Sequence, residues 1–141
     1  MTTATPPLLE HLCEVALRPN DFDRAGHLNN SVYLQLLETA RWEWGIAHGV
    51  DARADTLVAM VLQLRLDYLR SVDWDPVGHV VVRTSLAAHS PYSFSLAQDV
   101  ELRDGTVAAR GRVRLALVDP HTKRAHRVDL GAMPAPTESP A

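Results

Sequence analysis

The sequence predicts an α+β fold: a long central helix wrapped by a curved antiparallel sheet of five or six strands. Two periodicities carry this expectation. Leu28, Val32, Leu36, Leu37, Ala40, Trp44 and Ala47 recur at three- and four-residue steps, the spacing of one helix face. Beyond residue 60 the apolar period changes to two and stays there, which is the spacing of half-buried strands.

In chain order, Met1 to Pro7 is Thr- and Pro-rich, and residues 1–9 are expected to be flexible. From Glu10 to Arg18, Cys13, Val15 and Leu17 alternate with Leu12, Glu14, Ala16 and Arg18, a first strand that Pro19 ends. A polar loop follows, then the helix. Asn29 or Asn30 supplies its N-cap and Gly49 its stop signal. Leu34, Trp42 and Ile46 lie off the main apolar face, so the helix is expected to be buried nearly all round. Glu38 and Arg41, three apart, are expected to pair along it.

After a polar connection from Val50 to Asp55, four alternating runs follow: Leu62 to Tyr68, Val80 to Leu86, Tyr92 to Leu102 and Val107 to Leu117. Asp75-Pro76, Ser90-Pro91, Asp104-Gly105 and Asp119-Pro120 punctuate them with turn chemistry. Ala125 to Leu130 adds a short edge strand, and residues 131–141 read as a disordered tail. One domain therefore spans residues 10–130. Arginines and serines fall on the opposite sheet face from the apolar residues.

The chain of 141 residues has a formal charge of -3 with its histidines neutral, and its arginines are scattered. That gives no electrostatic footprint for nucleic acid or an acidic membrane. No apolar run is long enough to span a bilayer, and residues 1–7 lack the regions of a secretory signal, so a cytoplasmic setting is expected. The single cysteine, Cys13, reads as a buried structural thiol. His121 and His126 have no supporting ligands in sequence, and no metal or other cofactor is expected. Neither a phosphate-cradling glycine loop nor a G-x-S-x-G elbow occurs.

The stretch from Arg18 to Tyr33 concentrates the chemistry. Asp21, Asp23, Gly26, His27, Asn29 and Asn30 stand immediately before the helix. A helix start offers about four unpaired N–H groups and a partial positive charge, suited to a carbonyl oxygen or an anion. Asp21 reads as a loop acid that caps a turn, Gly26 as a turn residue with positive φ, and Tyr33 as packing near the site.

The pattern Asp21-x-Asp23-x-x-Gly26-His27-x-Asn29-Asn30-x-x-Tyr33, followed by Glu38-Thr-Ala-Arg41, resembles the hotdog-fold acyl-CoA thioesterases, in their 4-hydroxybenzoyl-CoA thioesterase-like branch. The resemblance covers about residues 11–130. It implies the hotdog fold, a homodimer or tetramer with sites at the subunit interface, and an acyl-CoA or acyl-carrier-protein substrate. Asp23 matches that branch's catalytic carboxylate, acting as nucleophile or as general base on water. Asn30 matches the helix-start position whose amide polarises the thioester carbonyl. His27 and Asn29 look instead like the H-x-N-N of aliphatic acyl-CoA and plant acyl-carrier-protein thioesterases, in which the matching aspartate and histidine are implicated in catalysis. Ala25 stands where those plant enzymes carry a further implicated asparagine.

Expected site residues are thus Asp23, His27 and Asn30 for catalysis, with Gly26, Asn29 and Tyr33 lining the substrate. Thioester hydrolysis needs a carboxylate or activated water at the carbonyl carbon and donors for the oxyanion. A thiolate leaves easily, so one acid without a Ser-His pair suffices. Two other functions fit the same architecture: an acyl-thioester hydratase or dehydratase, and a non-catalytic thioester-binding module.

Overall fold

The computed structural model describes residues 8–49, 57–76 and 78–128. The connection expected over Val50 to Asp55 and the tail expected over 131–141 lie outside the described residues, as do residues 1–7 of the expected flexible start. The elements are β1 (Leu8–Ala16), a 3-10 turn (Pro19–Asp21), α1 (Asn30–His48), β2 (Val58–Tyr68), β3 (His79–Ser90), β4 (Ser93–Glu101), β5 (Val107–Val118) and β6 (Ala125–His126).

One helix packs on a six-stranded antiparallel sheet, ordered β1-β3-β4-β5-β2 with β6 added to β5. Among the described residues no helix is long and apolar enough to cross a membrane. Asn29 caps α1 from extended backbone, and Gly49 closes it in the left-handed region. Asp104-Gly105 makes the β4–β5 hairpin, with the Asp104 carboxylate accepting from the Thr106 amide at 2.9 Å.

The core lies between α1 and the inner sheet face. Leu36 and Leu37 are buried against Cys13, Val80, Val82 and Val100, each contributing about 1.5–3 kcal/mol by removal from water. Trp44 packs with Leu86, Phe94 and Leu96, and its indole N–H donates to the Leu9 carbonyl at 2.6 Å. Gly111 allows the close approach of helix and sheet: a Cβ there would come 3.1 Å from the Gln98 carbonyl and 3.4 Å from Leu37 Cδ1. Burial, reinforced by the Glu43 carboxylate that its Sγ meets at 3.1 Å, pushes the Cys13 thiol up to about 12. It stays protonated at neutral pH, an inert core thiol.

Three sequence expectations are corrected. The helix is not buried all round: Trp42 and Ile46 are 70% and 68% exposed, and Leu34 and Ala47 are exposed too. One sheet covers one side of a helix, and α1 lies chiefly over β1 and β3. The run in β2 is not half-buried. It starts at Val58, and Met60, Leu62 and Tyr68 are 50%, 49% and 53% exposed at the sheet edge, while only Leu64 and Leu66 are partly covered, against the core. Finally, Arg41 makes no ion pair with Glu38 within 4 Å among the described residues; its Nη1 donates to Gln98 Oε1 at 3.1 Å. Gln98, fully buried, passes its own amide hydrogens to the Leu37 carbonyl and the Thr84 hydroxyl. A buried amide left unpaired is costly, so it draws Arg41 inward.

Candidate active site

Two short segments build the site. The first leaves β1 and folds into the 3-10 turn, in which Asp21 is 5% exposed. Its carboxylate accepts from the Arg18 amide at 2.7 Å and from Arg18 Nη2 at 3.1 Å, while its carbonyl accepts from the Asn29 amide at 2.7 Å. Burial alone would raise its pKa; the hydrogen bonds and charge of Arg18 outweigh burial and hold it below the ordinary aspartate value. Asp21 thus ties the strand exit to the helix entrance.

Asp23 opens a tight loop. Its amide donates to the His27 carbonyl at 2.8 Å and its carbonyl accepts from the Gly26 amide at 3.0 Å. Oδ1 accepts from the amides of Ala25 at 2.9 Å and His27 at 3.1 Å, as Asx turns do. Oδ2 takes no hydrogen bond among the described residues, and the side chain is exposed. Gly26 sits at φ +81° with open space where a Cβ would stand, so glycine is required by backbone conformation alone.

The second segment follows β2 and runs antiparallel beside this loop. The Leu28 amide donates to the Val72 carbonyl, and the Trp74 amide to the Gly26 carbonyl, both at 2.8 Å. His27 Nε2 lies 3.8 Å from Asp73 Oδ1, and Phe22 meets Trp74 edge-on at 5.2 Å.

At the helix entrance, Asn29 Oδ1 accepts from the Ser31 amide at 3.3 Å, and the Asn29 carbonyl accepts from the Val32 amide at 2.9 Å. The Asn30 amide takes no partner among the described residues. The Asn30 side chain accepts from the Tyr68 hydroxyl, and Tyr68 packs edge-on against the buried Tyr33 at 5.1 Å. Burial, then neighbouring Tyr68, push the Tyr33 phenol up, so it stays neutral.

The structure therefore joins Asp23, Gly26 and His27 in one loop, and Asn29, Asn30 and Tyr33 at the adjoining helix start. Asn29 is spent on capping. Three residues absent from the sequence expectation join them: Tyr68, Asp73 and Trp74. Their proximity is long-range and no local period reports it. The one available signal is the Asp73-Trp74-Asp75-Pro76 cluster in the connection between two strands. His121 lies in the β5–β6 turn and His126 in β6, and among the described residues no group of side chains is arranged to hold a metal ion.

Residues 17–138 match the profile of the thioesterase-like superfamily, and the chain belongs to that family. No curated protein matches it. Among solved structures it is similar to the PA2801 protein of Pseudomonas aeruginosa, at 27% identity and TM-score 0.76 over 84% of this chain and 92% of that one. The DHNA-CoA thioesterase of Staphylococcus aureus shares the fold at 20% identity and TM-score 0.75, covering 84% and 80%. So does the 1,4-dihydroxy-2-naphthoyl-CoA thioesterase of Synechocystis, at 12% identity and TM-score 0.74, covering 85% and 90%. The fold is that of these thioesterases, and family and fold together support thioesterase activity.

Proposed function

We propose that this protein hydrolyses acyl thioesters of CoA or of an acyl carrier protein, with Asp23 as the catalytic carboxylate. The observation that carries this reading is the division of labour within that carboxylate. Oδ1 is fixed by two loop amides, and Oδ2 is exposed without a partner among the described residues. A carboxylate held by one oxygen and open at the other is oriented before substrate arrives, which lowers the cost of reaching the transition state. The Asn30 amide, at the positive end of α1, is the donor for the carbonyl oxygen.

As general base, Asp23 takes a proton from water while the hydroxide oxygen bonds to the carbonyl carbon. Negative charge gathers on the carbonyl oxygen beside the Asn30 amide. The C–S bond then breaks, the thiolate leaves and takes up a proton, and the free acid departs. In the nucleophilic variant Oδ2 bonds to the carbonyl carbon, the C–S bond breaks as the thiolate leaves, and water hydrolyses the resulting mixed anhydride to the free acid and the Asp23 carboxylate. His27, between the loop and Asp73, orients the water, and Gly26, Asn29 and Tyr33 shape the thioester's approach. Thiol release from a panel of aliphatic and aromatic acyl-CoA and acyl-carrier-protein substrates, compared between wild type and Asp23→Asn, tests this. Near wild-type turnover by the variant on every substrate would sink it. Thioester binding unaffected by the substitution, without thiol release by either protein, would favour a binding module instead.

The working form is a homodimer made through β2. Among the described residues the strand offers an unpaired edge and apolar side chains on both faces, the kind of surface that pairs with another strand. A second copy of β2 satisfies it about a two-fold axis, each edge completing the other. Because Tyr68 of this strand holds Asn30, the interface also steadies the helix entrance. In sedimentation experiments wild type should run as a dimer or a dimer of dimers. Val61→Glu with Leu62→Glu should run as a monomer and lose most activity. A fully active wild-type monomer would refute the arrangement.

A further inference from the structure

The arginines on the sheet face away from α1 exist in two states. Arg83 of β3 is paired at all three nitrogens: Nε and Nη2 donate to Glu101 at 2.7 and 3.3 Å, and Nη1 donates to Glu10 at 2.7 Å. The arginines around β5 are not. Arg65 Nε donates to Asp67 at 3.2 Å, and Arg110 Nε lies 3.9 Å from Asp99. Arg112 and Arg114 take no partner among the described residues.

The register makes this more than scattered surface charge. Arg112 stands directly opposite Arg65 on β2, a like-charge pairing that destabilises an antiparallel ladder. Arg110 and Arg114 flank Arg112 on the same face of β5, each roughly 7 Å away along the strand. Arg112 and Arg114 are opposed on β4 by small residues, Ala97 and Ser95. Short side chains on β4 and tall ones on β5 and β2 leave a groove of about 500 Å³, a size that suits a small-molecule ligand. Its floor at Ser95 is 1% exposed. Four guanidiniums face two carboxylates in it, an excess of two positive charges in a chain of net charge -3.

We propose that this groove is a second binding site, for a small phosphate-bearing anion clamped between Arg112 and Arg114 with Arg65 as a third donor. The guanidinium fork matches phosphate oxygens in pairs, and two free forks on neighbouring same-face positions converge on one diphosphate-sized group. Asp67 and Asp99, both beside Arg110, close the other end of the groove to anions. The site is separate from the thioester site: Tyr68 turns to the helix side of β2, whereas Gln63, Arg65 and Asp67 turn to the groove.

The test is calorimetric titration of the full chain with sodium pyrophosphate, at ionic strength held constant with chloride. Wild type should bind saturably, one equivalent per chain. Arg112→Ser with Arg114→Ser should weaken binding at least tenfold, with an unchanged circular dichroism spectrum. Arg112→Lys with Arg114→Lys keeps the charge, removes the forks, and should fall between. Arg103→Ser, on the β4–β5 turn, should bind as wild type. A parallel titration with adenosine diphosphate separates the sources: tighter binding than pyrophosphate points to a nucleotide, weaker binding to the inorganic ion. No saturable binding of either anion to wild type, or equal binding by the double serine variant, would overturn the proposal.

Discussion

Asp21 and Asp23 stand two residues apart in one motif and do opposite work. Asp21 is buried, both its carboxylate oxygens bonded to Arg18, and its carbonyl holds the Asn29 amide. Asp23 is exposed and leaves one oxygen open. The same side chain thus serves structure where the backbone uses up its acceptors and chemistry where it does not. A carboxylate's availability is set by how many local donors reach it.

The sharpest way to break this comparison is to neutralise each acid in turn. Asp23→Asn should reduce turnover by roughly a hundredfold or more, the scale of a lost general base. Its melting temperature should barely move, because an asparagine oxygen still accepts from the Ala25 and His27 amides. Asp21→Ala should do the reverse. Leaving Arg18 groups without their acceptor costs about 1–3 kcal/mol of stability, readable by denaturant melt, while turnover per folded molecule holds. If the two variants exchanged phenotypes, the assignment of roles would be wrong. Gly26→Ala should blur the contrast. Placing a Cβ at positive φ costs about 1–2 kcal/mol, and distorting the loop should lower activity along with stability.

The smallest effect is in acid. The folded pKa of Asp21 lies below its unfolded value of about 3.9. Its stabilisation is therefore complete above that value and is lost as pH falls through the folded pKa. Denaturant midpoints of wild type should drop across that acid range. In Asp21→Asn this component of the slope should vanish.

A second contrast shows how far sequence reaches. The alternation in β1 and in β2 reads alike, and both are sheet edges. In β1, Cys13 and Leu17 beyond its end are buried under α1. In β2, Leu64 and Leu66 are only partly covered and the other apolar residues lie bare. Period tells which residues share a face; it does not tell whether anything covers that face. The same holds for Trp42 and Ile46 on the far side of the helix. Arg41 adds a third instance: spacing along the helix favours Glu38, yet Gln98, 57 residues later in the chain, takes its Nη1.

Local chemistry in the sequence determined the helix with its Asn29 cap and Gly49 stop, the strand faces, the turns at Ser90-Pro91 and Asp104-Gly105, and the concentration of polar groups before α1. These depend on neighbours within a few residues, where backbone sterics and side-chain hydrogen bonds act directly. Only the tertiary structure decided that Tyr68 reaches Asn30, that Asp73 and Trp74 line the motif loop, and that, among the described residues, β2 is left open and Arg112 and Arg114 go unpaired over a floor of small residues. Each of these depends on which strands become neighbours and in what register, a choice made by burial of the whole apolar face rather than by any short stretch of chain.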